Sequence, residues 1–269
     1  MPPASLPRIG LGTVSDDPQE WTDAVRTAIE MGYRHIDTAQ MYENESYVGA
    51  GIEAASVDRD EVFLATKTVY PDAPDDPSGV SDAIDGSRER LGVDTVDLFY
   101  VHWPSAVYDP EIVLPQYERA VEEGRIDHVG VANFTPELID EAQDHLDVPI
   151  LAHQVELHPL LQQTHLVEHA QREDIWLVAY CPVARGEVFD VPEIVQVAEK
   201  HGITPAQVSL AWLLSMDNVA VIPKSSDPAH MRENLAAADI ALDDEDIATI
   251  ESIDREHRII DMDVGPWNW

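Results

Sequence analysis

Short apolar runs alternate with longer helical patterns along the whole chain, and this alternation constrains the fold more than any other feature. Short apolar runs are typical of buried strands, whereas apolar residues three and four positions apart are typical of amphipathic helices. The predicted strands are Arg8–Gly12, His35–Asp37, Phe63–Lys67, Asp97–His102, His128–Ala132, Ile150–Glu156, Trp176–Tyr180 and Val219–Pro223. The predicted helices are Trp21–Met31, Ser46–Ala54, Ser78–Leu91, Ile112–Glu123, Pro136–His145, Thr164–Glu173, Pro205–Ser215, Pro228–Ala237 and Asp243–Ile253.

Repeated strand–helix units predict an α/β protein with a (β/α)8 TIM barrel, in which parallel strands form a cylinder covered by helices. The competing fold is an open, doubly wound sheet, whose first strand usually leads into a G-x-G-x-x-G loop. Gly10-Leu11-Gly12 is followed by Thr13-Val14-Ser15 and lacks the third glycine. We therefore expect a single barrel domain over residues 1–269.

Helix ends carry signals of their own. Thr135 before Pro136 is typical of an N-cap followed by proline at the first helical position. Glycine is common just after a helix because it adopts the left-handed backbone conformation. This rule predicts helix ends at Gly32, Gly92, Gly124 and Gly202.

The charge balance is strongly acidic: 16 Lys and Arg oppose 52 Asp and Glu, a formal net charge of −36. Such a surface repels nucleic-acid phosphates and anionic membranes, so we expect neither as a partner. Self-repulsion loosens a compact fold in dilute buffer, and molar salt screens it. A disordered acidic chain is the alternative, but a hydrophobic content of 44% with regular periodicity argues against it. We expect a halophilic protein.

The expected location is the cytoplasm. The sequence shows no secretory signal and no apolar run of the ~20 residues that span a bilayer. A single cysteine, Cys181, rules out an intramolecular disulfide framework.

Four polar residues fall where predicted strands end or just beyond. Asp37, Lys67 and His102 close three successive strands, and Tyr42 lies in the loop after Asp37. In a barrel, the C-terminal strand ends converge on one mouth. Each residue alone would more often be a cap, a rim aromatic or a hydrogen-bonded histidine, but their convergence predicts a catalytic site.

The chemistry of this group suits reduction of a carbonyl. Asp37 is expected to pair with Lys67, and the ammonium is expected to lower the pKa of Tyr42 from its usual ~10. Tyr42 would then protonate a carbonyl oxygen, and His102 would orient that oxygen. No side chain delivers hydride, so the electron source must be a cofactor.

Five blocks of the chain together resemble the aldo-keto reductase family. The blocks are Gly32-Tyr33-Arg34-His35-Ile36-Asp37-Thr38-Ala39 with Tyr42 and Asn44-Glu45, Thr66-Lys67, His102-Trp103-Pro104, Asn133-Phe134, and Ile222-Pro223-Lys224-Ser225. They occur in the family's order and at its spacing. The short loops and the ending 261–269 are most similar to the prokaryotic 2,5-diketo-D-gluconate reductase branch, especially its smaller type B.

The resemblance implies reduction of small aldehydes, α-dicarbonyls or keto sugars with NADPH. Tyr42 is then the proton donor, tuned by Lys67 and Asp37, and His102 orients the carbonyl. The implied cofactor residues are Thr13 and Asp37 at the nicotinamide ribose, Asn133 and Gln154 at the carboxamide, Tyr180 stacked on the ring, Lys224, Ser225 and Ser226 at the 2′-phosphate, and Glu233 and Asn234 at the adenine. The family's usual condition is a monomer.

Three positions depart from the family pattern. Ala132 replaces a serine, and Val14 replaces a tryptophan that often forms one wall of the substrate site. His230 stands at the position of a second phosphate-binding cation, and Arg232 is turned about 200° round the helix from it. We therefore expect weaker discrimination between the cofactors, with NADH also usable.

The candidate walls of the substrate pocket are Val14, Tyr70, Trp103 and Trp267, with Trp269 near the last of these. Two other functions are compatible with this fold: a cofactor-sensing regulatory subunit, and a different barrel enzyme such as an isomerase. His165-Leu166-Val167-Glu168-His169 matches a zinc-protease pattern, H-x-x-E-H. We interpret it as a solvated stretch of outer helix and expect no metal.

Overall fold

The computed structural model describes residues 6–15, 17–68, 77–105 and 108–268. Tyr70 and Trp269, two of the expected wall residues, lie outside these ranges. No helix within the described ranges has the length and apolar character required to cross a membrane.

Eight parallel strands form one sheet in chain order, with β1 beside β2 and so on to β8. The strands are β1 Leu11–Gly12, β2 His35–Asp37, β3 Phe63–Thr68, β4 Val96–Val101, β5 Ile126–Ala132, β6 Ile150–Glu156, β7 Trp176–Tyr180 and β8 Val219–Val221. Parallel bridges from Ile9 to Val221 and from Gly12 to Lys224 join the two ends of the sheet. The chain therefore adopts the predicted (β/α)8 fold.

Helices follow the strands and pack outside them. They are α1 Trp21–Met31, α2 Glu45–Glu53, α3 Pro77–Leu91, α4 Pro110–Glu122, α5 Pro136–Asp144, α6 Thr164–Arg172, α7 Pro192–His201, α8 Pro205–Ser215, α9 Pro228–Ala236 and α10 Asp244–Glu251. The predicted stretches match these helices within two residues at most ends. The helix α7 is absent from them, although Gly202 correctly marks its end with a φ of 65°.

Proline opens many of these helices because its missing N–H is unpaired there in any case. The preceding residue supplies the cap: Thr135 accepts from Leu138 N, Thr204 from Gln207 N, and Asp227 from Ala229 N. The predicted cap at Thr135 is therefore confirmed. The caps at Thr135 and Asp227 fix where two strand-to-helix loops end, and those loops carry part of the candidate site.

Apolar side chains fill two layers. A large cluster lies between the strands and the surrounding helices, and a smaller one occupies the barrel interior. The interior is closed by small and branched residues from several strands, including Ala65, Leu98, Leu151 and Val178. The polar side chains of the candidate site lie at the end of the barrel where the strands finish, which we call the barrel mouth.

Candidate active site

Asp37 and Lys67 form a buried ion pair between neighbouring strands. Asp37 ends β2 and Lys67 lies near the end of β3; both are about 1% exposed. Lys67 Nζ donates to Asp37 Oδ1 at 2.5 Å and to the backbone carbonyl of Thr38 at 2.7 Å. Burial lowers the pKa of Lys67, but Asp37 and Tyr42 more than offset this, so its pKa lies above the usual value. The expected pair is confirmed, and Lys67 is a fixed positive charge.

Tyr42 lies beside this charge on a short 3-10 turn, Gln40–Tyr42, after β2. Its ring centre is 5.3 Å from Lys67 Nζ. Loss of hydration raises the pKa of Tyr42, and Lys67 opposes that rise without cancelling it. The expected lowering of the pKa is therefore wrong in net direction, because burial outweighs the ammonium. The phenol holds its proton at neutral pH.

His102 follows β4 and faces Tyr42 across the mouth, with ring centres 6.3 Å apart. Burial, assisted by the charge of Lys67, lowers the pKa of His102 to about 3. The imidazole is therefore neutral over the physiological pH range. A neutral ring has one N–H donor and one acceptor nitrogen, so it can hold an oxygen without adding charge.

Three further strand ends extend the network. Tyr180 OH donates to Asn133 Oδ1 at 2.8 Å, and Asn133 Nδ2 donates to the His102 carbonyl at 3.0 Å. Gln154 Nε2 donates to Asp37 Oδ2 at 2.8 Å. The expected carboxamide and ring-stacking residues thus lie at the same mouth as the ion pair. Their contacts connect the ends of β2, β4, β5, β6 and β7.

Asn44 holds the loops next to Tyr42, a role that the sequence did not reveal. Its amide donates to the Thr13 carbonyl at 2.7 Å, and its Oδ1 accepts from Thr38 Oγ1 at 2.8 Å. Thr13 in turn donates through both N and Oγ1 to the Asp37 carbonyl, each at 3.1 Å. The sequence signal for this role was the presence of Asn44-Glu45 in the motif that also contains Asp37 and Tyr42. Its contacts are internal ties that fix the Tyr42 loop.

Lys224, Ser225 and Ser226 follow β8 and precede α9. Lys224 is exposed, Ser225 is buried and Ser226 is half-buried. Ser225 Oγ accepts from the backbone N of Asp227, the N-cap of α9. His230 and Glu233 are exposed on α9, and Asn234 is buried on it. The expected phosphate and adenine residues therefore lie on one loop and one helix.

Glu20 faces this group and was not among the predicted residues. Its Oε1 lies 3.8 Å from Lys224 Nζ and accepts from Ser15 Oγ at 2.5 Å. Hydrogen bonds from Ser15 and from Ser226 hold the pKa of Glu20 below its usual range. Neither motif nor spacing connects Glu20 with Lys224, since closure of the barrel brings them together. A negative charge therefore lies beside the expected phosphate site.

Tryptophans line one side of the mouth. Trp103 packs against His102 with ring centres 6.1 Å apart and against Trp267 at 5.8 Å. Val14 is 50% exposed in the loop that follows β1. Trp103 thus lies between His102 and Trp267, and the role of these tryptophans as pocket walls stays a prediction.

The H-x-x-E-H stretch has a different character from the solvated one that we predicted. His165 is exposed, but His169 is buried and its Nε2 contacts Asp140 Oδ1 at 2.9 Å. The prediction that His169 is solvated is therefore wrong, because its side chain is buried and contacts Asp140 of α5. Within the described residues, no three His, Cys, Asp or Glu side chains are grouped to hold a metal ion.

Cys181 follows Tyr180 in a strained loop, with a positive φ of 47°. Burial raises the pKa of its thiol to about 11. The thiol is therefore protonated at neutral pH, which is the behaviour of a packing residue.

Comparison with known proteins gives consistent similarities over nearly the whole chain. Residues 8–255 match the model of the aldo/keto reductase family. An aldo-keto reductase of Mycolicibacterium smegmatis is 36% identical, covering 95% of this chain and 92% of that protein. Methylglyoxal reductase DkgB of Yersinia pestis is also 36% identical, covering 96% of this chain and 97% of that protein.

Among solved structures, a protein assigned as 2,5-diketo-D-gluconic acid reductase B superposes with a TM-score of 0.93. It is 32% identical and covers 97% of this chain and 92% of its own. The relatives are described as reductases, so the comparisons give no support to the regulatory alternative.

Proposed function

Because this chain belongs to the aldo/keto reductase family, we propose that it reduces small aldehydes, α-dicarbonyls or keto sugars to alcohols, with NADPH as the main hydride donor. The observation that carries the proposal is the placement of Tyr42 between a fixed ammonium and a neutral imidazole. Lys67 Nζ is 5.3 Å from the Tyr42 ring centre, and the His102 ring centre is 6.3 Å from it.

Tyr42 acts as the proton donor in this proposal. Its raised pKa keeps the phenol protonated, so a proton is available when negative charge develops on the carbonyl oxygen. The alkoxide that forms is a far stronger base than a phenolate, so proton transfer is downhill. Lys67 then stabilises the phenolate left behind, and Asp37 keeps Lys67 charged and in place.

His102 orients the substrate rather than protonating it. Its low pKa leaves it neutral, so its N–H can donate to the carbonyl oxygen without competing with Tyr42 for the proton. A donor fixed by burial need not reorganise during the reaction, which is the basis of electrostatic preorganisation.

The residues at the mouth fit a nicotinamide cofactor by their chemistry. A carboxamide has both a donor and an acceptor, as do the side-chain amides of Asn133 and Gln154. Asn133 accepts a hydrogen bond from the Tyr180 hydroxyl. Thr13 and Asp37 would lie at the ribose. When bound, such a cofactor supplies the hydride that no side chain in the site can provide.

Both cofactors are proposed as usable, with NADPH preferred. Lys224, Ser225 and Ser226 would bind the 2′-phosphate at the start of α9, and Glu233 and Asn234 would face the adenine. Two features weaken the preference: a histidine, His230, stands where the family pattern has a second phosphate-binding cation, and Glu20 places a carboxylate 3.8 Å from Lys224. A carboxylate repels a phosphate and can accept from a ribose hydroxyl.

The net charge of the chain bears on the salt concentration at which the enzyme works. We propose an enzyme adapted to high salt, because its net charge of −36 requires screening. We also propose that it is a cytoplasmic, monomeric, single-domain protein. Oxidation of NADPH by the purified protein in high KCl tests the function, with methylglyoxal, 2,5-diketogluconate and 4-nitrobenzaldehyde as substrates and a reaction without carbonyl as control. Turnover of at least one is expected. Tight NADPH binding with no turnover of any would contradict reduction and favour a sensor.

A further inference from the structure

His153 is a buried histidine that is hydrogen-bonded to the loop carrying Asn133. It lies on β6, one residue before Gln154, and its side chain is fully removed from solvent. Its Nε2 accepts from the backbone N–H of Phe134 at 3.2 Å. Phe134 follows Asn133, the residue that we place at the nicotinamide carboxamide. His153 therefore contacts the backbone directly behind a proposed cofactor residue.

The backbone of Asn133 has an unfavourable conformation. Its φ is 64°, in the left-handed region that most residues avoid. Asparagine tolerates this region better than most residues, but such a conformation persists only where the surrounding structure imposes it. Because β5 ends at Ala132 and α5 begins at Pro136, residues 133–135 must redirect the chain. This turn determines where the Asn133 amide lies at the barrel mouth.

Two consecutive residues of β6 hold the turn. The backbone carbonyl of Gln154 accepts from Asn133 N at 2.9 Å, which extends the contact between β5 and β6 beyond the end of β5. The chain then leaves the sheet, and the next N–H, that of Phe134, donates to the His153 side chain. The imidazole of His153 therefore serves as the acceptor at the point where the chain turns away from the strands.

The protonation of the His153 ring follows from this bond. Because Nε2 accepts, it has no proton, and the proton of the neutral ring lies on Nδ1. Burial lowers the pKa of His153 to about 3, and His169 adds to the shift, so the ring is neutral at physiological pH. Nδ1 is buried and has no hydrogen-bond partner among the described residues. A buried donor without a partner lowers stability, so packing alone would favour an apolar side chain here.

The Asn133 side chain connects the turn to the other residues of the mouth. Its Nδ2 donates to the His102 carbonyl at 3.0 Å, and its Oδ1 accepts from Tyr180 OH at 2.8 Å. Both bonds depend on where the backbone of Asn133 places the amide. A shift of the turn would therefore move this amide relative to His102 and Tyr180, and relative to a bound carboxamide.

We propose that His153 is a positioning residue for the cofactor, since its Nε2 holds the Asn133 turn in the conformation that brings the Asn133 amide to the nicotinamide carboxamide. The proposal rests on the proposed reductase function and adds to it a residue that does not touch the cofactor. Successive side chains of a strand point to opposite faces, and Gln154 reaches Asp37 at the mouth. His153 therefore acts from behind the strand, and its effect should be confined to the nicotinamide end of the cofactor.

The test compares NADP⁺ with 2′-phosphoadenosine diphosphate ribose, which is the same molecule without the nicotinamide ring. Dissociation constants are measured by calorimetry for wild type and His153→Leu, at a constant KCl concentration that keeps both folded. Loss of the acceptor should weaken NADP⁺ binding by about five- to tenfold, the effect of one hydrogen bond, and change binding of the truncated molecule by less than about twofold. The same fold-change for both molecules, including no change, would overturn the proposal.

Two further variants separate the hydrogen bond from packing. In His153→Gln the side-chain oxygen can accept from Phe134 N–H, so NADP⁺ binding should return to within about twofold of wild type. His169→Leu removes another buried histidine, which contacts Asp140 at 2.9 Å, and should leave the ratio of the two dissociation constants unchanged. A loss in His153→Gln as large as that in His153→Leu would overturn the proposal, because the acceptor would then not be the cause.

A measurement on the wild type covers the case in which His153→Leu does not fold. Histidine is isotopically labelled for nitrogen NMR, and the His153 signals are assigned by their loss in His153→Gln. We expect an unprotonated Nε2 and a protonated Nδ1, and an Nε2 signal that shifts more with NADP⁺ than with the truncated molecule. A protonated Nε2, or an equal response to both molecules, would overturn the proposal.

Failure of the proposed function has a different signature. A wild type that does not bind NADP⁺, or that reduces no carbonyl compound with NADPH or NADH, would contradict the reductase itself and the inference with it. A wild type that binds NADP⁺, together with a His153→Leu variant that binds it equally well, would contradict only the role of His153.

Discussion

Lys67 Nζ lies 2.5 Å from Asp37 Oδ1, and both side chains are removed from solvent at the end of the barrel. A buried ion pair is costly to form, and removing one partner leaves an uncompensated charge in a medium of low polarity. The pair also sets the charge beside Tyr42. It therefore links the stability of the barrel mouth to its chemistry.

Removal of one partner should destabilise the protein strongly. Asp37→Asn is expected to lower the free energy of unfolding by about 3–5 kcal/mol, because Lys67 stays buried without its counter-ion. The double variant Asp37→Asn with Lys67→Met should recover part of this loss without recovering activity. Urea unfolding at fixed KCl measures both. A single variant as stable as the wild type would show that the pair is dispensable for folding.

Acid should destabilise the protein through its buried histidines. Burial lowers the pKa of both His102 and His153 to about 3, whereas a histidine in an unfolded chain titrates near ~6.5. Between these values the unfolded state binds protons that the folded state does not, so stability is greatest above pH ~6.5 and falls as the pH drops toward 3. Each histidine contributes up to about 1.4 kcal/mol per pH unit.

The variant His153→Gln isolates one of these contributions. The slope of the unfolding free energy against pH should be shallower in the variant than in the wild type, even if the variant is less stable throughout. Identical slopes would show that His153 does not stay neutral when buried. Because the pKa of His102 is lowered to about 3, the pH profile of kcat should show no ionisation of this residue near neutral pH.

Cofactor preference should respond to Glu20. Glu20→Gln removes a negative charge 3.8 Å from Lys224 and should raise kcat/KM for NADPH relative to NADH by roughly fivefold, the effect of ~1 kcal/mol between charges at 4 Å in water. Glu53→Gln, at the exposed end of α2, is the matched control. Direct titration of both cofactors by tryptophan fluorescence gives the affinities. A wild-type preference for NADPH above about a thousandfold, which corresponds to ~4 kcal/mol, would refute dual use.

Salt should stabilise the fold. Raising KCl from dilute to molar concentration shortens the Debye length to ~3 Å and screens the repulsion within a chain of net charge −36. We expect Tm to rise with KCl and to rise much less with a non-ionic osmolyte of equal osmolality. A Tm that does not depend on salt would contradict the halophilic interpretation.

The strand bounds predicted from the apolar pattern agree with the structure for several strands. β2, β6 and β7 have the predicted bounds. β8 ends at Val221 instead of Pro223. Proline has no N–H for the ladder, which ends the strand earlier than the apolar pattern does.

The site was predictable where topology alone places the residues. Strand ends meet at one mouth, so Asp37, Lys67 and His102 could be grouped from spacing and fold. Burial is not visible in spacing, which is why the net pKa of Tyr42 was predicted in the wrong direction. The contact of Glu20 with Lys224 depends on closure of the barrel and leaves no local signal.

The rate of hydride and proton transfer in Tyr42→Phe tests the central claim most directly. The substitution removes one hydroxyl, and NADPH binding, followed by fluorescence, should stay close to wild type. We predict that kcat falls by about 10²- to 10⁴-fold, the usual contribution of a general acid. A variant that binds NADPH and reduces methylglyoxal or 4-nitrobenzaldehyde at the wild-type rate would contradict the mechanism.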